Sequence, residues 1–363
     1  MRLSYRPDWD GAVERLDRWW RGESLGRPAM SVTAPKDGAE WETLPEAPDL
    51  WNHWTNPDYV VPRMERAART TAYFAEACPV QWVNMGAIAQ AGLLGTRPVC
   101  HPTTVWHEPF VEDWETYEPR LDPDNPWWLA KKRLIEACLE VADGKWFVAV
   151  GELAEVGDIL SALRGPQQLC LDLIEDPRER LLYLRDRIAA LMLEVYERVT
   201  GMVNAHMPGT STWLGVYHPG RTTTSQCDFS CMISKAMFDE FLFPALAWET
   251  SHLDGVIYHL DGPGALQHVE TLLTLPNLRA IQWVPGSGEE PQAHPKWRPL
   301  LRRIIEAGKA VHLSVSPAEV EDLLTDLPPE GLYLHVGCAS EREARELVAD
   351  VELWSARRSG AAR

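Results

Sequence analysis

The spacing of apolar and polar positions makes the first third of the chain a mixture of periodic and irregular segments. Residues 8–23 carry apolar groups at helical spacing, and the short apolar run 29–32 follows them, which predicts a helix and then a strand. Residues 34–60 have no period and are rich in Pro, Trp and Asp, as in an ordered loop. A helical pattern returns at about 62–77, and the run 79–86 has the composition of a strand.

The pattern becomes regular after residue 130, whereas residues 98–129 lack a clear period. The regular part begins with a predicted helix at 128–144 and a strand at 145–153. The segment DILSALRG (158–165) follows, and then come a helix at 167–174 and a long helix at 177–203. Four repeats of strand, polar tip and helix then begin with the strands 254–264, 278–288, 309–317 and 331–340.

Short apolar strands that alternate with helices indicate parallel pairing through βαβ crossovers. A further strand predicted at 211–218 brings the strand count close to eight, so we favour an α/β fold of the (β/α)8 barrel type over a doubly wound sheet. We assign residues 79–363 to the barrel and residues 1–78 to an N-terminal extension of helix and loop. No Gly-x-Gly-x-x-Gly segment follows a strand and no P-loop sequence occurs.

Charge and composition exclude several kinds of partner. The 363 residues include 35 Lys and Arg against 53 Asp and Glu, a formal net charge of −18. Nucleic acids and anionic membranes bind cationic surfaces, so we expect neither as a partner. No apolar run approaches the ~18 residues that cross a bilayer, and the N-terminus does not resemble a secretion signal, which predicts a cytoplasmic protein. The seven cysteines are expected to be reduced thiols.

The predicted strands change from apolar to polar at their carboxyl ends, which is where barrel enzymes carry their sites. We expect these polar residues to meet around a small-molecule substrate. The candidates for substrate binding are Trp213, Tyr217, Arg221, Gln282, Trp283 and His312. The aromatic members of this set have plain packing as their alternative role.

A metal site is predicted from one of these strand ends. His259 and Asp261 lie two residues apart, so they point to the same side of a strand, and Cys338 ends a later strand. An imidazole, a carboxylate and a thiolate suit Zn²⁺ and leave a fourth position for substrate. The alternative is that His259 and Asp261 bond to loop backbone and that Cys338 only packs.

Several segments resemble the uroporphyrinogen decarboxylase superfamily and, within it, the cobamide-dependent methyltransferases that transfer a methyl group from a corrinoid protein to a thiol. The similarity is one of pattern and covers nearly the whole chain. Four segments carry it: RLDRWWRGESLGRPAM (15–30), VGELAEVGDILSALRGPQQLCLDLIEDP (150–177), QCDFSCMISKAMFDEFLFPAL (226–246) and YHLDG (258–262).

The resemblance implies a ligand set for zinc. The zinc-dependent members of the family use His-x-Cys and a distant second cysteine, so His259 matches the histidine and Cys338 the second cysteine, whereas Asp261 replaces the first cysteine. A carboxylate is a harder ligand than a thiolate and makes a zinc-bound thiolate less nucleophilic. The decarboxylase activity itself is a poor match, because Asn84 stands near the position of the family's aspartate and no Arg-x-x-Gly-Arg loop occurs.

Three functions follow from these observations. The first is a zinc-dependent methyltransferase that takes a methyl group from methylcobalamin on a corrinoid protein, with His259 and Asp261 at the metal and Glu152 as a fourth ligand or general base. An ion pair with Arg164 or Arg221 is the alternative for Glu152. The second is a hydrolase or lyase that acts on a sugar-like molecule through the carboxylates of Glu152, Glu155, Asp158, Asp228 and Asp261. For Asp228, a structural cap is the favoured role over catalysis. The third is a ligand- or corrinoid-binding protein without catalysis.

Overall fold

The computed structural model describes residues 3–149, 153, 155–175 and 178–361. The strands within these ranges are β1 (Ala29–Pro35), β2 (Thr71–Ala75), β3 (Val80–Trp82), β4 (Arg97–Cys100), β5 (Val105–Glu108), β6 (Phe147–Ala149), β7 (Thr222–Gln226), β8 (Gly255–Asp261), β9 (Leu278–Val284), β10 (Ala310–Val315) and β11 (Leu332–Gly337).

The α-helices of the same ranges are α1 (Trp9–Trp20), α2 (Leu50–Thr55), α3 (Pro57–Thr70), α4 (Pro126–Ala142), α5 (Val156–Arg164), α6 (Pro166–Glu175), α7 (Arg178–Asn204), α8 (Lys235–Met237), α9 (Phe243–Thr250), α10 (Val269–Leu272), α11 (Arg298–Glu306), α12 (Val320–Asp326) and α13 (Glu341–Ala361). In the described part of the chain, none of these helices combines the length and the apolar character needed to cross a membrane.

Seven strands form one central sheet in the order β2-β1-β11-β10-β9-β8-β7. All neighbours in it are parallel except β1 and β2, which pair antiparallel. Two smaller sheets accompany it, the parallel pair β3–β6 and the antiparallel pair β4–β5. The predicted α/β class with parallel strands is therefore confirmed.

The four predicted repeats are present as β8 to β11, each followed by helical structure. Their register aligns one row of polar side chains across the sheet: Gln226 pairs with His259, His259 with Gln282, Gln282 with His312, and His312 with Tyr333. Because directly paired residues point to the same face, this row lies on one side of the sheet.

The strand predicted at 211–218 is wrong. This segment is a turn with a single bridge between Thr210 and His218, and the strand is β7, which begins at Thr222. The sequence of β7, TTTSQ, contains no large apolar residue, so its pattern does not resemble a buried strand. Its threonines are nevertheless buried, and their hydroxyls bond locally, as when Thr222 donates to Gly255 O at 2.8 Å.

The first 78 residues contribute to the central sheet, because β1 pairs in parallel with β11. Helix α2 lies inside the predicted loop 34–60, and the hairpin β4–β5 lies inside the aperiodic stretch 98–129. Both loops therefore carry more regular structure than their lack of period indicates.

Helix α1 covers the amino-terminal ends of the central strands. Its apolar side packs inward, with Trp9, Leu16 and Trp19 buried. The Trp19 ring meets the Tyr333 ring edge-on, with centroids 5.0 Å apart. A side chain at Gly255, the first residue of β8, would collide with the Trp20 ring, which explains the glycine there.

A buried ion-pair network ties the start of β1 to the residue after β2. Glu76 is fully buried and accepts bonds from Arg27 Nη1 and Nη2 at 2.9 and 2.8 Å. It also accepts bonds from Arg15 Nε and from the Met30 N–H. These four contacts hold the pKa of Glu76 below its usual range even though burial opposes its ionisation.

Candidate functional site

An imidazole and two carboxylates converge at the carboxyl edge of the central sheet. His259 and Asp261 end β8 on the same side, and Asp228 follows the neighbouring strand β7 at the start of a 3₁₀ turn. One potential ligand atom from each of the three residues lies within 4.8 Å of the others. His259 and Asp261 are half-buried, whereas Asp228 is exposed. We call these three residues the Asp-His-Asp cluster.

The ring of His259 is held in one orientation. Its Nδ1 lies 2.6 Å from Oε1 of Gln282 on the next strand. The amide oxygen can only accept, so Nδ1 donates in this contact and Nε2 is the ring nitrogen left for a cation. A second ring, that of Trp213, contacts the imidazole edge-on at 5.3 Å between centroids. A histidine oriented through its far nitrogen is the usual arrangement of a metal ligand.

The backbone that carries Asp228 is fixed by another carboxylate. Asp158, in the first turn of α5, accepts the N–H of Asp228 at 3.1 Å and that of Phe229 at 2.7 Å. Helix α5 and the segment that carries Asp228 are also in close contact. A Cβ at Gly157 of α5 would lie 2.6 Å from Sγ of Cys227, the residue before Asp228. The position of Asp228 thus depends on α5.

Burial and repulsion between neighbouring carboxylates raise the pKa values of Asp158 and Asp228. Burial raises the pKa of Asp158 to about 7, with the nearby Asp228 charge acting in the same direction and the two N–H donors opposing it. Desolvation by the surrounding protein also raises the pKa of Asp228, although its side chain keeps contact with solvent; His259 acts to lower this pKa and the charge of Asp261 acts to raise it. A cation among Asp228, His259 and Asp261 would relieve this repulsion, so the donor set fits a metal ion.

An open cleft of about 280 Å³ lies beside the cluster and shares Asp228 with it. Its wall includes the rings of Trp54, Trp82 and Trp213. Trp213 also touches His259, so the cleft and the cluster form one continuous site. The remaining polar lining comes from Asn84, Thr103, Thr104, Glu155 and Gln226.

The structure brings together four of the predicted site residues, namely His259, Asp261, Trp213 and Gln282. The predicted ligand Cys338 is not among the clustered groups of the described chain, and Asp228 joins the cluster instead. Cys338 follows β11, three strands away from β8 in the sheet, and its N–H donates to Thr33 O at 2.8 Å. Glu152 lies outside the described residues.

Tyr217 and Arg221 do not lie at the carboxyl edge. Both precede β7, and the Tyr217 ring packs edge-on against Trp9 of α1 at 5.2 Å while its hydroxyl donates to Pro208 O. Arg221 pairs with Glu197 at 2.9 Å. The sequence predicts a strand at 211–218, which would place Tyr217 and Arg221 at its carboxyl end. The strand is instead β7 (Thr222–Gln226), so both residues lie at its amino end. The positions of Tyr217 and Arg221 therefore give no support to the prediction that they bind substrate at this edge.

Trp283 and His312 are buried inside the protein. Trp283 is fully buried against Trp297, and it points away from the face that carries its neighbour Gln282. His312 is 1% exposed and stacks on the Tyr333 ring at 5.1 Å, and burial lowers its pKa to about 3. Neither side chain lines the cleft, so their positions give no support to the predicted role in substrate binding.

Asp228 is the member of the Asp-His-Asp cluster that the sequence does not identify as a metal ligand. It has the signal of a cap, and its strand β7 has no apolar pattern that would have marked Asp228 as a strand-end residue. The local sequence signal for Asp228 is its place in QCDF (226–229), where an acid follows a short run of polar residues.

Comparison with known proteins gives no further assignment. Neither the models of known protein families nor the curated protein sequences match this chain.

Proposed function

We propose that this protein is an enzyme that holds a divalent cation between Asp228, His259 and Asp261 and acts on a small polar molecule in the adjoining cleft. The observation that carries the proposal is the convergence of the three potential ligand atoms within 4.8 Å. The orientation of His259 by Gln282 and the attachment of Asp228 to Asp158 support it, because both contacts pre-set the cluster.

The donor set favours a borderline or hard cation such as Zn²⁺ or Mn²⁺. Imidazole suits Zn²⁺ and Fe²⁺, carboxylates suit Mn²⁺ and Mg²⁺, and no thiolate belongs to the cluster of the described chain. When bound, such a cation polarises a substrate oxygen and lowers the pKa of a coordinated water. Glu155 lines the cleft and offers a carboxylate for proton transfer, while the ring of Trp213 packs edge-on against the imidazole.

This chemistry is that of a hydrolase or lyase. Oxygen ligands leave the cation strongly Lewis-acidic, which favours activation of water or of a substrate hydroxyl over activation of a thiol. A second candidate is methyl transfer between a cobamide on a corrinoid protein and a thiol. It is favoured by the resemblance of YHLDG, because His259 and Asp261 stand where the methyltransferases have His-x-Cys.

We also propose that β1, β3 and β6 to β11 close into a (β/α)8 barrel. These eight strands run parallel to their neighbours within two sheets. Two contacts join the small parallel sheet to the β7 side of the central sheet and support closure. The Leu153 N–H, just after β6, donates to Thr223 Oγ1 of β7 at 3.1 Å, and the ring of Trp82 in β3 lies 6.4 Å from that of Trp213, in the turn before β7.

The test of the metal site is calorimetric titration of the chelator-stripped protein with Zn²⁺ and with Mn²⁺. We expect one site per chain, and a loss of affinity of at least about tenfold in His259→Ala and Asp261→Asn, equivalent to about 1.4 kcal/mol. Cys338→Ser is the matched control and is expected to leave affinity within about twofold. Absence of stoichiometric binding, or loss of binding in Cys338→Ser alone, would refute the Asp-His-Asp cluster as the site.

The two reactions are separated by one further assay. The metal-loaded protein is incubated with methylcobalamin and a panel of thiols, and demethylation is followed by the change in the cobalamin spectrum. Turnover that depends on His259 would select methyl transfer. Absence of turnover together with stoichiometric metal binding would select the hydrolase or lyase.

A further inference from the structure

The lining of the cleft has an unusual composition for an enzyme site. Three tryptophans, Trp54, Trp82 and Trp213, share it with side chains that carry hydrogen-bonding oxygen. Among its described lining residues there is no Lys, Arg or His. The cleft therefore presents aromatic faces and acceptors without a positively charged side chain.

The charge of the site disfavours anionic ligands. Asp228 and Glu155 both line the cleft, and Asp261 lies beside Asp228. The two charges of a bound divalent cation would be offset by these carboxylates, so the site would offer no excess positive charge to an anionic ligand. A phosphate or carboxylate ligand would lose its hydration without the Arg or Lys contacts that normally replace it.

The tryptophans provide flat apolar walls. The ring centroids of Trp82 and Trp213 lie 6.4 Å apart, and the two ring planes are inclined to one another by 41°. The indole N–H of Trp54 donates to His101 O at 2.8 Å, so its hydrogen-bonding capacity is already used. Indole faces pack against apolar C–H surfaces, while Asn84 and Gln226 in the same wall can bond to hydroxyls.

A ligand that matches both parts of the wall has an apolar face and a rim of uncharged hydroxyls. We propose that the cleft binds a neutral carbohydrate, with a C–H face of the sugar ring against Trp82 and Trp213 and its hydroxyls directed to the oxygen-bearing side chains. A cleft of about 280 Å³ is small among ligand sites and suits one or two sugar units. This inference names the substrate class of the proposed enzyme and rests on the same site.

The experiment is saturation-transfer difference NMR of the full chain with a panel of neutral mono- and disaccharides, D-glucose 6-phosphate, D-glucuronate and choline. We expect transfer to the ring C–H protons of at least one neutral sugar, and binding at least about tenfold weaker for the phosphate and uronate forms. Trp82→Ala and Trp213→Ala should abolish the signal. Trp248→Ala, at an exposed tryptophan outside the cleft, is the control and should retain it.

The outcomes separate this proposal from that of the metal site. Failure of every neutral sugar, or equal binding of the charged sugars, would overturn the carbohydrate assignment whatever the metal titration shows. Signal from choline alone would assign the cleft to organic cations instead and also overturn it. Sugar binding by metal-free His259→Ala would support the proposal that the cleft binds carbohydrate. The metal site is tested separately, by the calorimetric titration. Thermal unfolding of each tryptophan variant identifies any loss of signal caused by misfolding, and Trp82→Phe, which keeps an aromatic face, should then restore binding.

Discussion

Replacing the buried Asp158 by asparagine should make the protein's stability less sensitive to pH. Asp158 is 2% exposed, and burial raises its pKa to about 7 from a usual value near 4. The folded state therefore holds the proton of Asp158 more tightly than the unfolded state does. For an acid with a raised pKa, the stability present at low pH is lost as the pH rises toward the folded pKa.

The size of the effect follows from this difference in pKa. Between pH 5 and pH 7 the unfolded carboxyl is ionised while the folded one is still mostly protonated, so wild type should lose about 2 kcal/mol of stability from this group. The asparagine of the Asp158→Asn variant does not titrate, so the variant lacks this loss. The amide has only one acceptor oxygen for the N–H groups of Asp228 and Phe229, which lowers stability by a similar amount at both pH values.

The assay is urea unfolding of wild type and Asp158→Asn at pH 5 and pH 7, in chelator so that metal binding does not contribute. The quantity compared is the change in the free energy of unfolding between the two pH values, which removes the constant effect of the lost hydrogen bond. Equal changes in the two proteins would refute the assignment of a raised pKa to Asp158.

Three further changes test the contacts around the site and in the core. Gln282→Leu removes the acceptor of His259 Nδ1 and should weaken metal binding about tenfold by calorimetry with little change in stability; undiminished affinity would show that the contact does not orient the ring. Gly157→Ala places a Cβ 2.6 Å from Sγ of Cys227, so it should both destabilise the fold by about 1–3 kcal/mol and weaken metal binding, whereas a Cys227→Ala partner change should recover part of each. Glu76→Gln leaves the two paired arginines without their counter-charge and should lower the free energy of unfolding in urea by about 3 kcal/mol; a loss below about 1 kcal/mol would contradict the description of this network.

The strands that the sequence predicts best are those whose interiors are apolar and whose ends are polar. In β8 and β11 this contrast marks both the element and its carboxyl end, which is why His259 was recognised as a strand-end residue. The sequence does not predict β7, because a strand of threonine and serine resembles a loop. These residues can be buried because their hydroxyls form local hydrogen bonds, such as the one between Thr212 and Thr224.

The composition of the site was only partly predictable, for two physical reasons. Consecutive residues of a strand point to opposite faces, so Gln282 and Trp283 cannot both face the same cleft, and the sequence does not say which one does. Which strands are neighbours is a property of the sheet order. That order places Asp228 next to His259 and leaves Cys338 beside Thr33.

The two ends of the central strands are equipped for different tasks. At the amino ends, Trp19 and Trp20 of α1 contact Tyr333 and the start of β8, while the Asp-His-Asp cluster occupies the carboxyl ends. A tether attached before residue 9 would therefore emerge on the side opposite the Asp-His-Asp cluster and the cleft. Immobilisation through that end would leave the cleft facing the solution, and the same geometry makes the loops at the carboxyl ends the natural positions for engineering a different ligand preference.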